Sequence, residues 1–210
     1  CDSDVAVFQN LCHLVGRHVA TEREALVLAL ELCEQLRLAT GGYFDIAALS
    51  STLERPSYRM FPPSHQAQRT SSGILIDFGG FAKGYAAEKI RKTLREKYGV
   101  KSALLNFGSS SVSCIGTHPL GDYWGVSSEN GLVQFSLRDS ALSVSGLSRT
   151  GTDHIIDPHT GTMARSGPDI AVTGPSALLC EVLSTALYAC PRVDRASIIG
   201  KFENYKIQEI

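Results

Sequence analysis

The stretch from Ser145 to Gly161 holds the densest polar chemistry in the sequence. Here His154 could take a proton from a hydroxyl group, and Asp153 or Asp157 could orient the ring or stabilise its charged form. A single histidine before a strand is more often structural, and Asp157-Pro-His-Thr-Gly is also a good turn sequence. Taken alone, these residues favour a structural role, and catalysis needs further support.

A second group of chemically useful residues lies within residues 76–90, where a strand pattern changes into a helix pattern. Asp77, the pair Gly79-Gly80 and Lys83 fall together at the predicted start of that helix. Free backbone N–H groups, the positive end of the helix dipole and a cation then lie in one place, which suits a phosphate or another anion. The alternative, that the two glycines only let strand and helix pack closely, stays open.

A third candidate pair lies on a nearly all-apolar helix predicted from residue 175 to residue 189. Glu181 and Thr185 stand four residues apart and therefore on one face of that helix. A buried carboxylate and hydroxyl need partners, and a hard cation such as magnesium would supply them. The alternative is that Glu181 and Thr185 lie on an exposed stripe of the helix, or that a local hydrogen bond satisfies them. The apolar residues around the pair favour the site.

Several elements must position these groups. A helix is predicted over residues 22–38, with Thr21 and Glu24 as a capping box, Gly41 at its end, and an inner face formed by Leu26, Leu30, Cys33 and Leu36 or Arg37. After it, Tyr43, Phe44 and Asp45 place two aromatic rings beside a carboxylate, a pattern more typical of core than of a ligand platform.

The remaining pattern predicts mostly strands. We expect a buried strand over residues 73–78, a helix from residue 82 to residue 94 stopped by Gly99, and a surface excursion over residues 50–72. Further strands are predicted over residues 102–107, 112–115, 123–127, 132–137 and 141–145, and the spacing of the last four suggests an antiparallel meander with Trp124 in the core. The serines after Asn106 could donate hydrogen bonds or simply form a turn.

Composition limits the possible classes of protein. The chain has 210 residues, 43% of them hydrophobic, and a formal net charge of −1. It can bury a full core as one domain over residues 1–210. The balanced charge gives no argument for nucleic acid as a partner, and no apolar run approaches the roughly 20 residues of a transmembrane segment. Neither a signal peptide nor a membrane span is predicted, so we expect a soluble chain.

The six cysteines lie outside CxxC and Cys/His ligand spacings, so buried free thiols are predicted instead of a disulfide framework or a zinc site. Cys1 leaves two interpretations open: a lipid-bearing residue of a processed lipoprotein, or the point where a longer chain was cut. The cut is favoured, because Asp2 begins in the middle of a fold pattern.

Five stretches of the chain, in order, resemble the ApbE family, the FAD:protein FMN transferases, and the resemblance covers nearly the whole chain. The matching stretches are Asp2-Ser-Asp-Val with Asn10, Thr40-Gly-Gly-Tyr-Phe-Asp, Ile76-Asp-Phe-Gly-Gly-Phe-Ala-Lys-Gly-Tyr-Ala, Asp153-His-Ile-Ile-Asp-Pro-His-Thr-Gly, and Ser176-Ala-Leu-Leu-Cys-Glu-Val-Leu-Ser-Thr-Ala. The resemblance implies an α+β fold related to the T-fold, with an antiparallel sheet meander and packed helices.

The resemblance also implies a function. Family members bind magnesium as cofactor and FAD as substrate. They transfer FMN from FAD to a threonine or serine hydroxyl of an acceptor protein and release AMP. The alternatives are an FAD pyrophosphatase that gives FMN and AMP, and a catalytically weakened FAD-binding protein. The family's acceptor signature, Asp-x-x-x-Ser-Gly-Ala-Thr, does not occur in the chain, so self-modification is not predicted and the acceptor is unnamed.

Roles carry over by position. His154 would activate the acceptor hydroxyl. The metal would be held by the backbone carbonyl of Gly80 with the side chains of Glu181 and Thr185. The flavin site would be lined by Tyr43, Phe44 and Asp45, and FAD would also be contacted by Asp77, Lys83 and Ile155.

The chain also departs from the usual family pattern. Glu181 and Glu88 stand where Asp is common, and Ser109 where a second glycine is common, which bears on metal and FAD binding more than on the fold. The family's N-terminal segment before the Asp-Ser element is expected to be missing. Family members are commonly exported and lipid-anchored at the outer face of the cytoplasmic membrane, so the resemblance suggests the cell envelope.

Overall fold

The computed structural model describes residues 22–50, 58–61, 66–69, 75–108, 110–128, 131, 133–146, 154–164 and 167–210. Its helices are α1 (Glu22–Ala39), α2 (Ala82–Glu96), α3 (Ala177–Ala189) and α4 (Arg195–Ile199), with a 3-10 turn at Arg192–Asp194. Its strands are β1 (Tyr58–Phe61), β2 (Gln66–Arg69), β3 (Ala103–Phe107), β4 (Ser111–Ile115), β5 (Trp124–Ser127), β6 (Gln134–Leu137), β7 (Ala141–Ser145), β8 (Ile156–Asp157), β9 (Thr162–Met163), β10 (Ile170–Gly174) and β11 (Lys206–Glu209).

The centre of the fold is a five-stranded sheet in the order β11-β10-β7-β4-β3, and every neighbouring pair is antiparallel. Helix α3 packs on β7 and β10, and α2 packs against α3 and β4. This mixed helix and antiparallel sheet architecture agrees with the predicted α+β class. It places the two helices that carry candidate site residues side by side on one face of the sheet.

Helix α3 is the most deeply buried of the described helices, because twelve of its thirteen residues are buried. The hydroxyl of Ser176 caps its first turn by accepting the N–H of Leu179. Helix α2 comes very close to it at Gly84, where an added Cβ would lie 2.6 Å from the Cβ of Glu181 and 2.7 Å from the carbonyl oxygen of Ala177. Only glycine leaves room for this contact between the two helices.

Side chains of α2 also fix the start of α3. One Glu88 carboxylate oxygen accepts the backbone N–H of Ala177 at 2.7 Å, and Arg91 donates to the carbonyl oxygen of Pro175 at 2.6 Å. A carboxylate at a helix N-terminus is stabilised by the free N–H groups and the helix dipole. The glutamate at position 88 is therefore part of the contact that sets the position of α3 relative to α2.

The three predicted helices are confirmed as α1, α2 and α3, with one change to the inner face of α1. Leu26 is 52% exposed, whereas Leu28, Leu32 and Leu36 are buried with Leu30 and Cys33. The buried face of α1 is therefore broader than predicted, and it is centred on Leu28, Leu32 and Leu36 instead of on the line through Leu26. Gly41 has φ +66°, and the N–H of Gly42 bonds the carbonyl of Arg37, so the helix ends at the predicted glycine.

The predicted buried strand over residues 73–78 is wrong in its described part. Residues 75–78 form no strand, and Leu75 and Ile76 are 59% and 42% exposed. Their neighbour is the loop after α1: the N–H of Asp77 bonds the carbonyl of Ile46 at 2.8 Å, and Leu75 bonds the hydroxyl of Ser50. A loop offers no continuous ladder, so the segment stays extended without entering the sheet.

The predicted meander is also corrected. Among the strands that the structure describes, β5 and β6 pair only with each other, and β7 pairs with β4 and β10 instead of β6. This hairpin packs a second, smaller core against the sheet, formed by Val112, Cys114, Leu137, Leu142 and Ala171. Trp124 lies at the margin of that core and is half-buried.

Several predictions fall wholly or partly outside the described residues, namely those on Cys1, Asp2 to Asn10, Cys12, Thr21, Ser109 and Asp153. Within the predicted excursion over residues 50–72, the described backbone forms the β1–β2 hairpin. Cys33, Cys114, Cys180 and Cys190 are buried free thiols, as predicted. Among the described helices, none is both long enough and apolar enough to cross a membrane.

Candidate functional site

A cavity of about 510 Å³ opens beside the start of α2 and the middle of α3. Its volume falls in the range of small-molecule sites. All ten predicted site residues line it, although they come from four separate parts of the chain. They are Tyr43, Phe44, Asp45, Asp77, Gly80, Lys83, His154, Ile155, Glu181 and Thr185.

The turn before α2 is shaped by its carboxylate and its two glycines. Asp77 accepts the N–H of Gly79 at 2.8 Å, and an added Cβ on Gly80 would lie 2.9 Å from the hydroxyl oxygen of Thr185. Helix α2 then begins at Ala82, with no side-chain cap from Phe81 and no acidic residue in its first turn. The N–H of Ala82 bonds the carbonyl of Phe78 at 2.8 Å, so it is the positive end of the helix dipole, together with Lys83 in the first turn, that suits an anion here.

Lys83 extends from this first turn to Glu181 on α3. Its Nζ lies 2.5 Å from Oε1 of Glu181 and 3.3 Å from the carbonyl oxygen of Gly79. The two side chains differ in environment, since that of Lys83 is 39% exposed and that of Glu181 only 5%. The lysine thus provides the positive charge that a buried carboxylate needs.

The other oxygen of Glu181 is held by the sheet. The hydroxyls of Ser111 and Ser143 donate to Oε2 at 2.7 and 2.9 Å. Ser111 on β4 and Ser143 on β7 are directly paired in the antiparallel register, so both hydroxyls rise from the same face of the sheet. Two neutral donors on one oxygen and an ammonium on the other satisfy the buried carboxylate.

Thr185 stands one turn further along α3. Its hydroxyl donates to the carbonyl of Glu181 at 3.0 Å and lies 3.3 Å from the hydroxyl of Ser145. Ser145 also lies 2.9 Å from the hydroxyl of Ser184. Because the Thr185 hydroxyl donates its hydrogen to a carbonyl of its own helix, the lone pairs of its oxygen remain available toward the cavity.

The oxygen atoms here have the chemistry of a magnesium site. The Glu181 carboxylate, the Thr185 hydroxyl and the backbone of Gly80 line the same cavity, Gly80 packs directly against Thr185, and all three offer hard oxygen ligands. Across the described ranges, no three His, Cys, Asp or Glu side chains come close enough to form a complete protein cage. Magnesium commonly binds through one or two carboxylates together with substrate phosphates, so this donor set fits it.

The opposite side of the cavity is formed by loops. Phe44 is 3% exposed and packs in the main core, whereas Tyr43 is half-buried and stacks on His159 with ring centroids 4.2 Å apart. The Tyr43 hydroxyl donates to Asp194 at 3.2 Å. Desolvation, followed by this bond and the nearby carboxylates, raises the pKa of Tyr43, so its phenol stays protonated at neutral pH.

His159 connects the two loops on this side. Its Nε2 lies 3.0 Å from the carbonyl oxygen of Gly41, and an added Cβ on Gly42 would lie 3.2 Å from the same nitrogen. Gly42 also has φ +86°, which favours glycine. The loop that carries Tyr43 is therefore fitted against the turn that carries His159.

His154 lies exposed at the edge of the cavity, and its neighbour Ile155 is buried. Asp157 accepts the N–H of His159 at 2.8 Å and so caps the turn after it. Among the described residues, no hydrogen bond links Asp157 to the His154 ring. The prediction that Asp157 orients His154 is therefore not supported, and Asp153 lies outside the described residues.

Of the serines that hold Glu181 and Thr185, sequence reasoning missed Ser143. It gave Ser111 only as a hydrogen-bond donor or turn residue after Asn106, and Ser145 only as the first residue of the polar stretch. Ser111 and Ser143 stand in strands whose other residues are mostly buried, and Ser145 follows two positions after Ser143. Polar residues at alternating positions on the buried face of a strand are a signal that could have pointed to them. What the sequence does not show is which carboxylate they meet.

The chain is similar in sequence to the ApbE family and to a named flavin transferase. A sequence model of the ApbE family matches residues 47–207. A protein named FAD:protein FMN transferase from Treponema pallidum (strain Nichols) is 26% identical over 160 residues, which is 66% of this chain and 44% of that protein. The chain thus spans less than half the length of this relative.

Solved structures of flavin transferases share the fold. The apo form of the Pseudomonas stutzeri flavinyl transferase ApbE gives a TM-score of 0.68 at 18% identity, over 86% of this chain and 70% of that one. The ApbE protein from Thermotoga maritima gives 0.69 at 20% identity, over 91% and 76%. The flavin transferase ApbE from Vibrio cholerae gives 0.69 at 15% identity, over 91% and 75%.

Proposed function

The chain belongs to the ApbE family, and from this premise we propose that it transfers the FMN part of FAD to a threonine or serine hydroxyl of an acceptor protein, with release of AMP. The observation that carries the proposal is the single cavity that brings together all ten predicted residues. An anion-binding turn, a buried carboxylate with its cation, an aromatic side chain and a histidine line the same space. FAD presents a pyrophosphate and a flavin ring to match them.

The pyrophosphate would bind at the start of α2. The positive end of the dipole of that helix and the ammonium of Lys83 supply positive charge next to the Gly79-Gly80 turn. Breaking a pyrophosphate adds negative charge to the leaving phosphate, and fixed donors and cations lower the barrier when they are in place beforehand. Lys83 therefore serves both binding and the departure of AMP.

We propose that Mg²⁺ is held by Oε1 of Glu181, the hydroxyl of Thr185 and the carbonyl of Gly80, because these three residues line one cavity and their oxygens match its ligand preference. Bound there, Mg²⁺ would neutralise pyrophosphate charge. Ser111 and Ser143 keep the longer glutamate side chain fixed, since both hold its Oε2. The position where the family usually has Asp can then be filled by Glu without loss of orientation.

The flavin part of FAD would lie toward the loops. Tyr43 offers a ring fixed by its stack on His159 and its bond to Asp194. Asp45 accepts the N–H of Ala47 at 2.8 Å and thereby stabilises the loop beside that ring. Ile155 adds an apolar contact at the cavity wall. This end of the cavity offers aromatic and apolar surface with few charges, as a flavin ring requires.

His154 would act as the base. Its imidazole takes the proton from the acceptor hydroxyl, the hydroxyl oxygen forms a bond to the phosphorus on the FMN side, and the bond from that phosphorus to the bridging oxygen breaks. The bridging oxygen leaves with the electron pair as part of AMP. The exposure of His154 at the cavity edge fits this role, because the hydroxyl arrives on another protein.

The test is incubation of the purified chain with FAD and Mg²⁺, with and without a peptide bearing the sequence Asp-x-x-x-Ser-Gly-Ala-Thr. Mass spectrometry then follows peptide and nucleotides. We expect the peptide to gain the mass of FMN while AMP appears. His154→Ala should lose both products. His118→Ala is the matched control, because His118 lies outside the cavity lining.

Other outcomes would change the proposal. FMN and AMP without modified peptide would identify an FAD pyrophosphatase, with water reaching the exposed His154 instead of an acceptor. FAD that binds but stays intact with Mg²⁺ present would identify a binding protein without catalysis.

A further inference from the structure

We propose that Lys83 is a resident counter-cation of Glu181, and that a divalent cation can bind this carboxylate only by taking the oxygen that Lys83 occupies. In its displaced position Lys83 becomes available to an anion in the cavity. The inference rests on the proposed metal site but not on the transfer reaction. It assigns Lys83 an effect on metal affinity that is opposite in sign to its effect on anion affinity.

The first step of the argument is that Glu181 has one oxygen left for a cation. Its side chain is 5% exposed, and Oε2 accepts hydrogen bonds from Ser111 and Ser143 at 2.7 and 2.9 Å. Both serines are fixed by the β4–β7 register, where they are direct partners. The carboxylate therefore presents Oε1 to the cavity, and binding through both oxygens would require the loss of two buried hydrogen bonds.

The second step is that Lys83 already occupies Oε1 of Glu181. Nζ of Lys83 lies 2.5 Å from Oε1, a direct charged contact with no space for an intervening ion. An ammonium and a divalent cation on one oxygen would repel each other at contact distance, and the surroundings are too buried to screen them fully. One of the two cations must therefore move away when the other binds.

The third step is that Lys83 is able to move. Its side chain is 39% exposed, and its other contact is the carbonyl of Gly79 at 3.3 Å. A lysine has a flexible stem and a compact charge, so it can turn toward the cavity or water without change to α2. In the metal-free chain it satisfies Glu181, and after metal binding it points to where phosphate charge would lie.

The experiment is a calorimetric titration of Mg²⁺ alone, without nucleotide, into four proteins: the unchanged chain, Lys83→Met, Lys83→Arg and Lys92→Met. We expect Lys83→Met to bind Mg²⁺ about 5–150-fold more tightly than the unchanged chain, the range typical of coupling between two binding events. Lys83→Arg keeps the cation and should bind no more tightly than the unchanged chain. Lys92 pairs with Glu96 on the same helix at 3.9 Å, so Lys92→Met should leave the affinity unchanged.

Two results would overturn the inference in distinguishable ways. Equal or weaker Mg²⁺ binding by Lys83→Met, with binding by the unchanged chain lost in Glu181→Gln, would leave the metal site in place and show that Lys83 does not compete for it. Mg²⁺ binding that is absent throughout, or unaffected by Glu181→Gln, would remove the proposed metal site and the inference with it.

A second measurement needs no destabilising variant. The side-chain ammonium of Lys83 can be followed by ¹⁵N NMR in the unchanged chain, with Lys83→Arg used only to assign the signal. We expect the signal to shift on addition of Mg²⁺ as the contact to Glu181 breaks. A signal that stays in place at saturating Mg²⁺ would contradict the displacement.

Discussion

The two sides of the cavity are built differently. One side, here called the helix wall, consists of the Gly79-Gly80 turn, Lys83, Glu181, Thr185 and the serines that hold them. Its polar groups are packed between α2, α3 and the sheet, and Glu181 has three partners while almost fully buried. The other side, the loop wall, consists of residues 41–49 and 154–160, and its polar groups are held by a few contacts near solvent.

This difference matches two different tasks in the proposed reaction. Charge stabilisation works best with groups that do not move when charge develops, and a buried helix wall provides them. An acceptor protein must approach from outside, and exposed loops on a rigid scaffold are where such contacts occur. Substitutions should therefore affect folding stability strongly at the helix wall and substrate use more than stability at the loop wall.

The largest effect is expected at the contact between α2 and α3. In Gly84→Ala the new Cβ would meet Glu181 and the Ala177 carbonyl at distances under 3 Å. The gain in helix propensity, about 1 kcal/mol, is smaller than the overpacking, so we expect a net loss of about 2 kcal/mol in unfolding free energy. Urea unfolding measures it. Gly121→Ala is the control, since nothing lies within 4 Å of that position. Equal stability of the two variants would show that the helices separate easily.

The next effect tests the serines under Glu181. Ser143→Ala removes one hydrogen bond to a buried carboxylate that Ser111 and Lys83 still hold, and should lower the unfolding free energy by about 1.5 kcal/mol. Ser113→Ala is a matched control on β4, because the Ser113 hydroxyl is buried without a partner and its removal should be neutral or stabilising. If Ser113→Ala costs as much as Ser143→Ala, the loss reflects serine packing and not the carboxylate.

A smaller effect on stability is expected at the loop wall. His159→Ala removes the stack on Tyr43 and the contact to Gly41, worth about 1 kcal/mol together at an exposed site. Because Tyr43 loses its support, KM for FAD should rise severalfold while kcat changes less. His159→Phe keeps the stack on Tyr43, so its KM for FAD should stay close to that of the unchanged chain. A KM that stays unchanged in His159→Ala would separate this stack from FAD binding.

The smallest effect concerns pH. Because the pKa of Tyr43 is raised in the folded chain, its contribution to stability is present below the unfolded tyrosine pKa, about 10, and is lost as pH rises through the folded value. Tyr43→Phe should therefore flatten the loss of stability in this alkaline range and change little at neutral pH. Thermal unfolding across the range checks this. A variant whose alkaline loss matches that of the unchanged chain would show that Tyr43 does not contribute to it.

The elements that the sequence predicted well are those with strong local patterns. Helices α1 and α2 ended at the expected glycines, and Ala141–Ser145 was predicted with its observed bounds, because periodicity and caps act within a few residues. The apolar residues before the Gly79-Gly80 turn predict a buried strand, yet Leu75 and Ile76 are exposed beside the loop after α1. Strand pairing depends on distant partners, so the β5–β6 hairpin was also taken for part of a meander.

The sequence by itself determined the ten candidate residues and the family, because these depend on residue types at fixed spacings. Only the tertiary structure decided their partners. It placed Lys83 against Glu181, paired Ser111 with Ser143 beneath the same carboxylate, and assigned Asp157 to its own turn. Such contacts join residues up to about a hundred positions apart, and they form because the sheet register and the close approach at Gly84 bring buried polar groups within hydrogen-bond distance.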